Sequence, residues 1–290
     1  MVLSMQQYSI AGLTVGVSEG NLSHIPGFTV FSIEQKGMPD VMIRLRETLF
    51  DLNVQPMCSF NLEDIKCEFS FAAETYYCKM VQPDGKTLLT TMQLRDVMLN
   101  VSTNMNELTP LHLLRFAVWL AFCLFSVFRK TVAIHASAVM YKGKTILFLG
   151  ESGTGKSTHT GLWLKHLSDT ELLNDDSPFV YASEDKAEVF GSPWSGKIDC
   201  FRNIKTPIAG VVRLTQAPYN EIKRLSGLSA IGALLPSCPP WFAYDELLSD
   251  KICSILSALL KHVSIYSLKC MPDKDAVKLV FSTLKNDGHL

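Results

Sequence analysis

The chain has 290 residues, 47% of them hydrophobic, with 27 Lys and Arg against 28 Asp and Glu, a formal net charge of −1 and a pI near 6.6. That length and apolar content supply core for one large or two medium domains, and two are preferred. A near-neutral chain carries no electrostatic footprint for DNA or RNA, which excludes nucleic-acid partners and requires any polyphosphate to be attracted locally.

Eight cysteines lie at positions 58, 67, 78, 123, 200, 238, 253 and 270, with no C-x-x-C pair or nearby set of His partners, which argues against a zinc site. Several sit within apolar segments, as small buried thiols do in a reducing compartment. The opening MVLSMQQYSIAGLTVG has neither a basic nor a sustained apolar region, so no signal peptide is expected and cytoplasm follows as the location.

From residue 8 to 101 the pattern is β. Val41, Ile43 and Leu45 alternate with Met42, Arg44 and Arg46, and Cys67, Phe69 and Phe71 alternate with Glu68, Ser70 and Ala72, the period of half-buried strands. Residues 75–81 and 87–92 flank Pro83, Asp84 and Gly85, which read as a hairpin turn. A β-rich N-terminal domain over residues 1–105, with one wet sheet face, is implied. Arg44, Arg46, Glu47 and Arg95 read as ordinary charges of that face.

Residues 108–130, LTPLHLLRFAVWLAFCLFSVFRK, are the most hydrophobic stretch. The apolar run from 116 to 128 is bounded by His112, Arg115, Arg129 and Lys130, and falls short of the roughly 20 residues a spanning helix needs. Residues 106–130 are therefore expected to form a buried connecting helix, with no membrane partner.

Residues 131–157, TVAIHASAVMYKGKTILFLGESGTGKS, carry two adjoining strands, a glycine-rich loop and a helix start. Gly150, Glu151, Ser152, Gly153, Thr154, Gly155, Lys156 and Ser157 satisfy G-x-x-x-x-G-K-[ST]. That spacing lets successive backbone N–H groups curl around a polyphosphate while Lys156 reaches its outer oxygens and the Ser157 hydroxyl faces Mg²⁺. The apolar run at 145–149 suits a strand buried on both faces, and from Lys156 the pattern turns helical, so a phosphate would meet a helix N-terminus. His135 is expected within the strand before the loop.

Asp175 and Asp176 end a second apolar segment, ELLNDD, which suits a strand neighbouring the one before the loop, its carboxyl end opening onto the same crevice. Adjacent carboxylates there can divide their labour, one holding Mg²⁺ opposite Ser157 and the other accepting a proton from an attacking hydroxyl.

His135 in IHASAV, the loop GESGTGKS and the pair in LLNDDSPF together resemble the C-terminal domain of HPr kinase/phosphorylase, which shares a core with ATP-dependent phosphoenolpyruvate carboxykinase. The likeness spans roughly residues 131–290. It implies an α/β fold, a P-loop domain with a mixed sheet preceded by a smaller β-rich domain, and ATP and Mg²⁺ as cofactors. By resemblance Lys156 stabilises the transferred phosphoryl group, Ser157 and Asp176 hold Mg²⁺, Asp175 is the general base and His135 borders the phosphates. The loop residues through Thr158 would contact the nucleotide. The chain departs from the family where a glycine-and-arginine signature should follow the Asp pair. VFGSPWSGK stands there instead, as in kinase-related homologues, so HPr as acceptor and phosphorylase activity are not expected.

Residues 179–181 and 187–190 read as a hairpin. In GSPWSGKIDCFRN, Lys197 and Arg202 are candidates to hold phosphates or an anionic acceptor, or the segment is a surface loop anchored by Trp194. A buried strand at 207–214 and a short one at 222–225 follow, with Arg213 and Arg224 as weaker phosphate candidates. LLPSCPPWFAY cannot be a helix interior. A helix over 246–263, a strand at 264–268 and a final helix opened by Pro272 and Asp273 complete the chain.

The leading expectation is Mg²⁺-dependent phosphoryl transfer from ATP to a serine-type hydroxyl on an unidentified protein, peptide or small molecule. A non-catalytic nucleotide-binding regulatory module and a carboxykinase-like enzyme remain as alternatives. A homo-oligomer stays open.

Overall fold

The computed structural model describes residues 5–34, 37–49, 53–106 and 108–290. Residues 1–4, part of the segment read for a signal peptide, lie outside the described residues. Two compact units emerge. One is built from the described residues of Met1–Phe128 together with Trp241–Leu248, the other from Arg129–Pro240 and Ser249–Leu290.

In the first unit, β1 (Gln6–Ile10), β2 (Leu13–Ser18), β3 (Ser32–Ile33), β4 (Val41–Arg44), β5 (Cys58–Leu62), β6 (Ile65–Ala72), β7 (Thr75–Val81), β8 (Thr87–Arg95) and β9 (Met98–Thr103) form one sheet in the order β3-β1-β2-β4-β9-β8-β7-β6-β5. β4 runs parallel to both its neighbours, and the other pairs are antiparallel. The period-2 pattern buries Val41, Ile43, Leu45, Cys67 and Phe69, but it breaks at the end of β6, where Ser70 is buried and Phe71 is 44% exposed. Between β7 and β8 the turn closes as the sequence requires. Gly85 sits at φ 84, its N–H donates to Gln82 O at 2.9 Å, and the Asp84 carboxylate accepts from Lys86 N at 2.9 Å.

The hydrophobic stretch becomes α1 (Leu111–Val127), which belongs to this first unit. Twelve of its side chains are buried, so its all-round hydrophobicity reflects burial. Among the described residues no helix is long and apolar enough to cross a membrane.

The second unit also carries a nine-stranded mixed sheet, so the β-rich first part is not the lesser in strands. Its elements are β10 (Thr131–Ala133), β11 (Ala136–Tyr141), β12 (Lys144–Leu149), α2 (Lys156–His166), β13 (Thr170–Asn174), β14 (Phe179–Ala182), β15 (Ala187–Phe190), β16 (Lys205–Gln216), β17 (Glu221–Leu225), α3 (Gly227–Leu234), α4 (Glu246–Leu259), β18 (Ile265–Cys270) and α5 (Lys274–Asn286). The long β16 organises them. Its first residues pair antiparallel with β15, and its later ones lie parallel to β12 on one side and β18 on the other. β17 then pairs with β18, and β14 and β10 extend beyond β15.

One face of this sheet buries Val139, Phe148, Val212 and Tyr266 against Trp163 of α2 and Val277, Val280 and Leu284 of α5. α5 starts as expected: the Asp273 side chain caps it by accepting from Ala276 N at 2.8 Å. The segment after α3 forms two 3-10 turns, Leu235–Ser237 and Pro240–Tyr244, in keeping with its prolines.

Two expectations change in detail. His135 falls in the break between β10 and β11, outside any strand. The strand that delivers the Asp pair is also not adjacent to β12. β11 lies between them, with Ala138 opposite both Leu147 and Asn174, so the carboxyl ends of β12 and β13 still open at one end of the sheet.

Candidate phosphate and carboxylate site

β12 enters the site buried from Thr145 to Leu149, and the chain then turns through residues 150–155 into α2. The turn requires glycine. A Cβ on Gly150 would lie 2.4 Å from Thr154 Oγ1, and Gly155 holds φ 97 at the N-cap of α2. Gly155 has no side chain to cap this helix, so among the described residues its first N–H groups lack a capping partner. Thr154 Oγ1 donates to Glu151 O at 2.8 Å, while Lys156 Nζ donates to Gly150 O at 2.8 Å and Glu151 O at 3.2 Å. Burial lowers the Lys156 pKa, an effect opposed by Asp176 and Asp175 and reinforced by nearby Arg213. Thr158 is exposed one residue beyond Ser157.

The two aspartates differ in their surroundings. Asp175 is 6% exposed, and its Oδ1 accepts from Ser137 Oγ at 2.5 Å and from Ser157 Oγ at 3.0 Å, with Oδ2 3.3 Å from Ser157 Oγ. The Asp176 side chain is 39% exposed and lies 3.2 Å from His135 Nδ1. Backbone bonds hold this geometry: Ile134 N donates to Pro178 O at 3.0 Å, His135 N to Ser237 O at 2.7 Å, and Ala136 N to Asp176 O at 3.1 Å.

Asn174 shapes the turn between them. Fully buried, it accepts from Asp176 N at 3.0 Å and Ser177 N at 2.8 Å, and its amide donates to Trp194 O at 3.1 Å. The segment after β15 is thereby tied to the aspartates. Trp194 is buried 5.7 Å from the Phe179 ring and anchors that segment. A Cβ on Gly196 would come within 2.7 Å of Asp175 O, so the exposed Lys197 follows a residue pressed against the pair.

Arg202 is not brought there. It pairs with Glu171 near the start of β13, Nη1 to Oε2 at 2.5 Å. Arg213, at the end of the β16 segment that pairs with β12, donates to Ala233 O at 3.0 Å. Arg213, Leu214, Thr215 and Gln216 face Glu151, Ser152, Gly153 and Thr154 across a cleft of about 490 Å³.

Loop, Ser157, both aspartates and His135 therefore come together. Ser137 and Asn174 join the site without a sequence signal that singles them out. IHASAV and LLNDDSPF contained both, but the contact between Ser137 and Asp175 depends on strand pairing, which local pattern does not reveal. Among the described residues no three His, Cys, Asp or Glu side chains form a metal cluster. Ser157 and Asp175 nevertheless place two hard oxygens together, a donor set suited to Mg²⁺ that keeps phosphate and water ligands.

No protein-family model matches this chain, and no curated protein does. Among solved structures, the Hpr(Ser) kinase/phosphatase from Coxiella burnetii aligns over 54% of this chain and 95% of its own, at 12% identity and a TM-score of 0.30. A likeness of that size carries no argument about this chain.

Proposed function

We propose that the second unit binds ATP with Mg²⁺ and transfers the terminal phosphoryl group to a serine-type hydroxyl. The observation that carries this reading is the Ser157 hydroxyl on the Asp175 carboxylate at 3.0 Å, beside an uncapped helix N-terminus and Lys156. Free N–H groups at such a terminus and a lysine suit a polyphosphate. Leaving the Gly150 and Glu151 carbonyls would let the Lys156 ammonium meet the transferred group.

The two aspartates exchange the roles implied by resemblance. Asp175 shares hydrogen bonds with Ser157, so these two would hold Mg²⁺, with Ser137 fixing the carboxylate. When bound, Mg²⁺ offsets charge on the phosphate oxygens. Asp176, half-exposed beside His135, is free to face an acceptor. It takes the acceptor's hydroxyl proton, the acceptor oxygen bonds to the γ-phosphorus, and the bond to the β–γ bridging oxygen breaks to release ADP. In this reading His135 steadies Asp176, and the exposed Lys197 would meet an anionic acceptor.

Incubation with labelled ATP, Mg²⁺ and pools of free serine or serine peptides tests this reading. Asp176→Asn should slow transfer by about a hundredfold or more, and Lys156→Ala should abolish it. Equal transfer by wild type and both variants would sink the proposal.

A further inference from the structure

The wet face of the first sheet is not an ordinary solvated surface. Across β4, β9, β8 and β7, strand register aligns Arg44, Ser102, Thr91 and Tyr77 in one row. Asn100 and Gln93 stand in the next row, and Arg95 lies beyond them on β8. The opposite face carries buried Ile43, Val101 and Met92, so these polar side chains are committed to the open side. After β4 the chain turns at Arg46, φ 61, and Arg46 N and Glu47 N donate to Met105 O and Thr103 O, each at 2.9 Å. Thr48 and Leu49 thereby wall a cleft of about 500 Å³, within the usual ligand-pocket range of about 300–1,000 Å³.

The charge pattern of this cleft points to its ligand. Lys66, elsewhere in the same sheet, is neutralised by Glu68 at 2.7 Å. Arg44 and Arg95 are held by amides instead: Arg44 Nη1 donates to Asn100 Oδ1 at 3.4 Å and Arg95 Nε to Gln93 Oε1 at 2.8 Å. Among the described residues neither guanidinium meets a carboxylate, and none of those lining the cleft is an Asp or Glu. Guanidinium forks match planar or tetrahedral oxyanions, and the Ser, Thr and Tyr hydroxyls can bond further ligand oxygens.

We propose that this cleft is a second binding site, independent of the glycine-rich loop, for a small ligand bearing an oxyanion, either a carboxylate or a phosphate ester. It is tested in the full chain carrying Lys156→Ala, which weakens the other anion site, by calorimetric titration with citrate, glycerol 3-phosphate and neutral glycerol. At least one anion should bind saturably and glycerol should not, and whichever anion binds identifies the chemistry. Arg44→Gln and, separately, Arg95→Gln should each weaken binding about tenfold or more. Arg95 is exposed, so its variant tests the site without disturbing the core. No saturable binding of either anion up to about 10 mM, or binding retained by both arginine variants, would overturn the proposal.

Discussion

Each unit contains a buried hydroxyl cluster, and their partners separate structural from chemical use. In the first, Thr90 Oγ1 donates to Thr103 Oγ1 at 3.1 Å, which donates to Leu89 O at 2.9 Å. That chain ends on a backbone carbonyl and joins neighbouring strands. In the second, two hydroxyls converge on the Asp175 carboxylate at the mouth of the loop. A carboxylate so placed is poised for an incoming cation, whereas the threonine pair is uncharged. Placement follows the same division: the second unit gathers its groups at strand ends, and the first spreads its polar groups over a strand face.

The largest effect expected on this contrast comes from a buried polar group with no carboxylate or hydroxyl partner. His159 is 3% exposed and accepts from Trp163 Nε1 at 3.2 Å, and its Nδ1 finds no partner among the described residues. Burial pushes its pKa from 6.5 down to about 4. Above pH 6.5 the ring is neutral in both folded and unfolded chains. As pH falls from 6.5 towards 4, the unfolded chain takes up a proton that the folded one resists, and stability is lost. The full loss is about 3 kcal/mol. Urea unfolding across this range should show it, with a shallower fall in His159→Gln; identical slopes would remove His159 from the account.

A smaller effect separates the hydroxyl clusters directly. Thr103→Val and Ser137→Ala should each cost about 1 kcal/mol of stability. Only Ser137→Ala should also weaken nucleotide binding in the presence of Mg²⁺, by several-fold. If the two variants behave alike in binding, Ser137 is structural and the contrast fails.

Much of this was legible in the sequence because it is local. The loop spacing, the apolar strand before it, the Asp doublet and the β7–β8 turn depend on residues a few positions apart. Contacts set by pairing were not legible. Ser137 meets Asp175 only because β11 lies between β12 and β13, and Arg202 is drawn to Glu171 across the chain. The distinction between Asp175 and Asp176 arises in the Asn174 turn, which buries one and exposes the other. Arg44 and Arg95 read as ordinary surface charges because neither the wall beside them nor their amide partners, Asn100 and Gln93, can be seen along the chain. α3 leaves no clear mark in the sequence because eight residues, GLSAIGAL, give little periodicity.

Titration of ATP into wild type, Ser157→Ala and Asp175→Asn, with and without Mg²⁺, tests the central claim most directly. Mg²⁺ should tighten binding to wild type by about tenfold or more, and either substitution should remove most of that gain. Equal affinity with and without Mg²⁺ in wild type, or a full Mg²⁺ effect in Asp175→Asn, would contradict it.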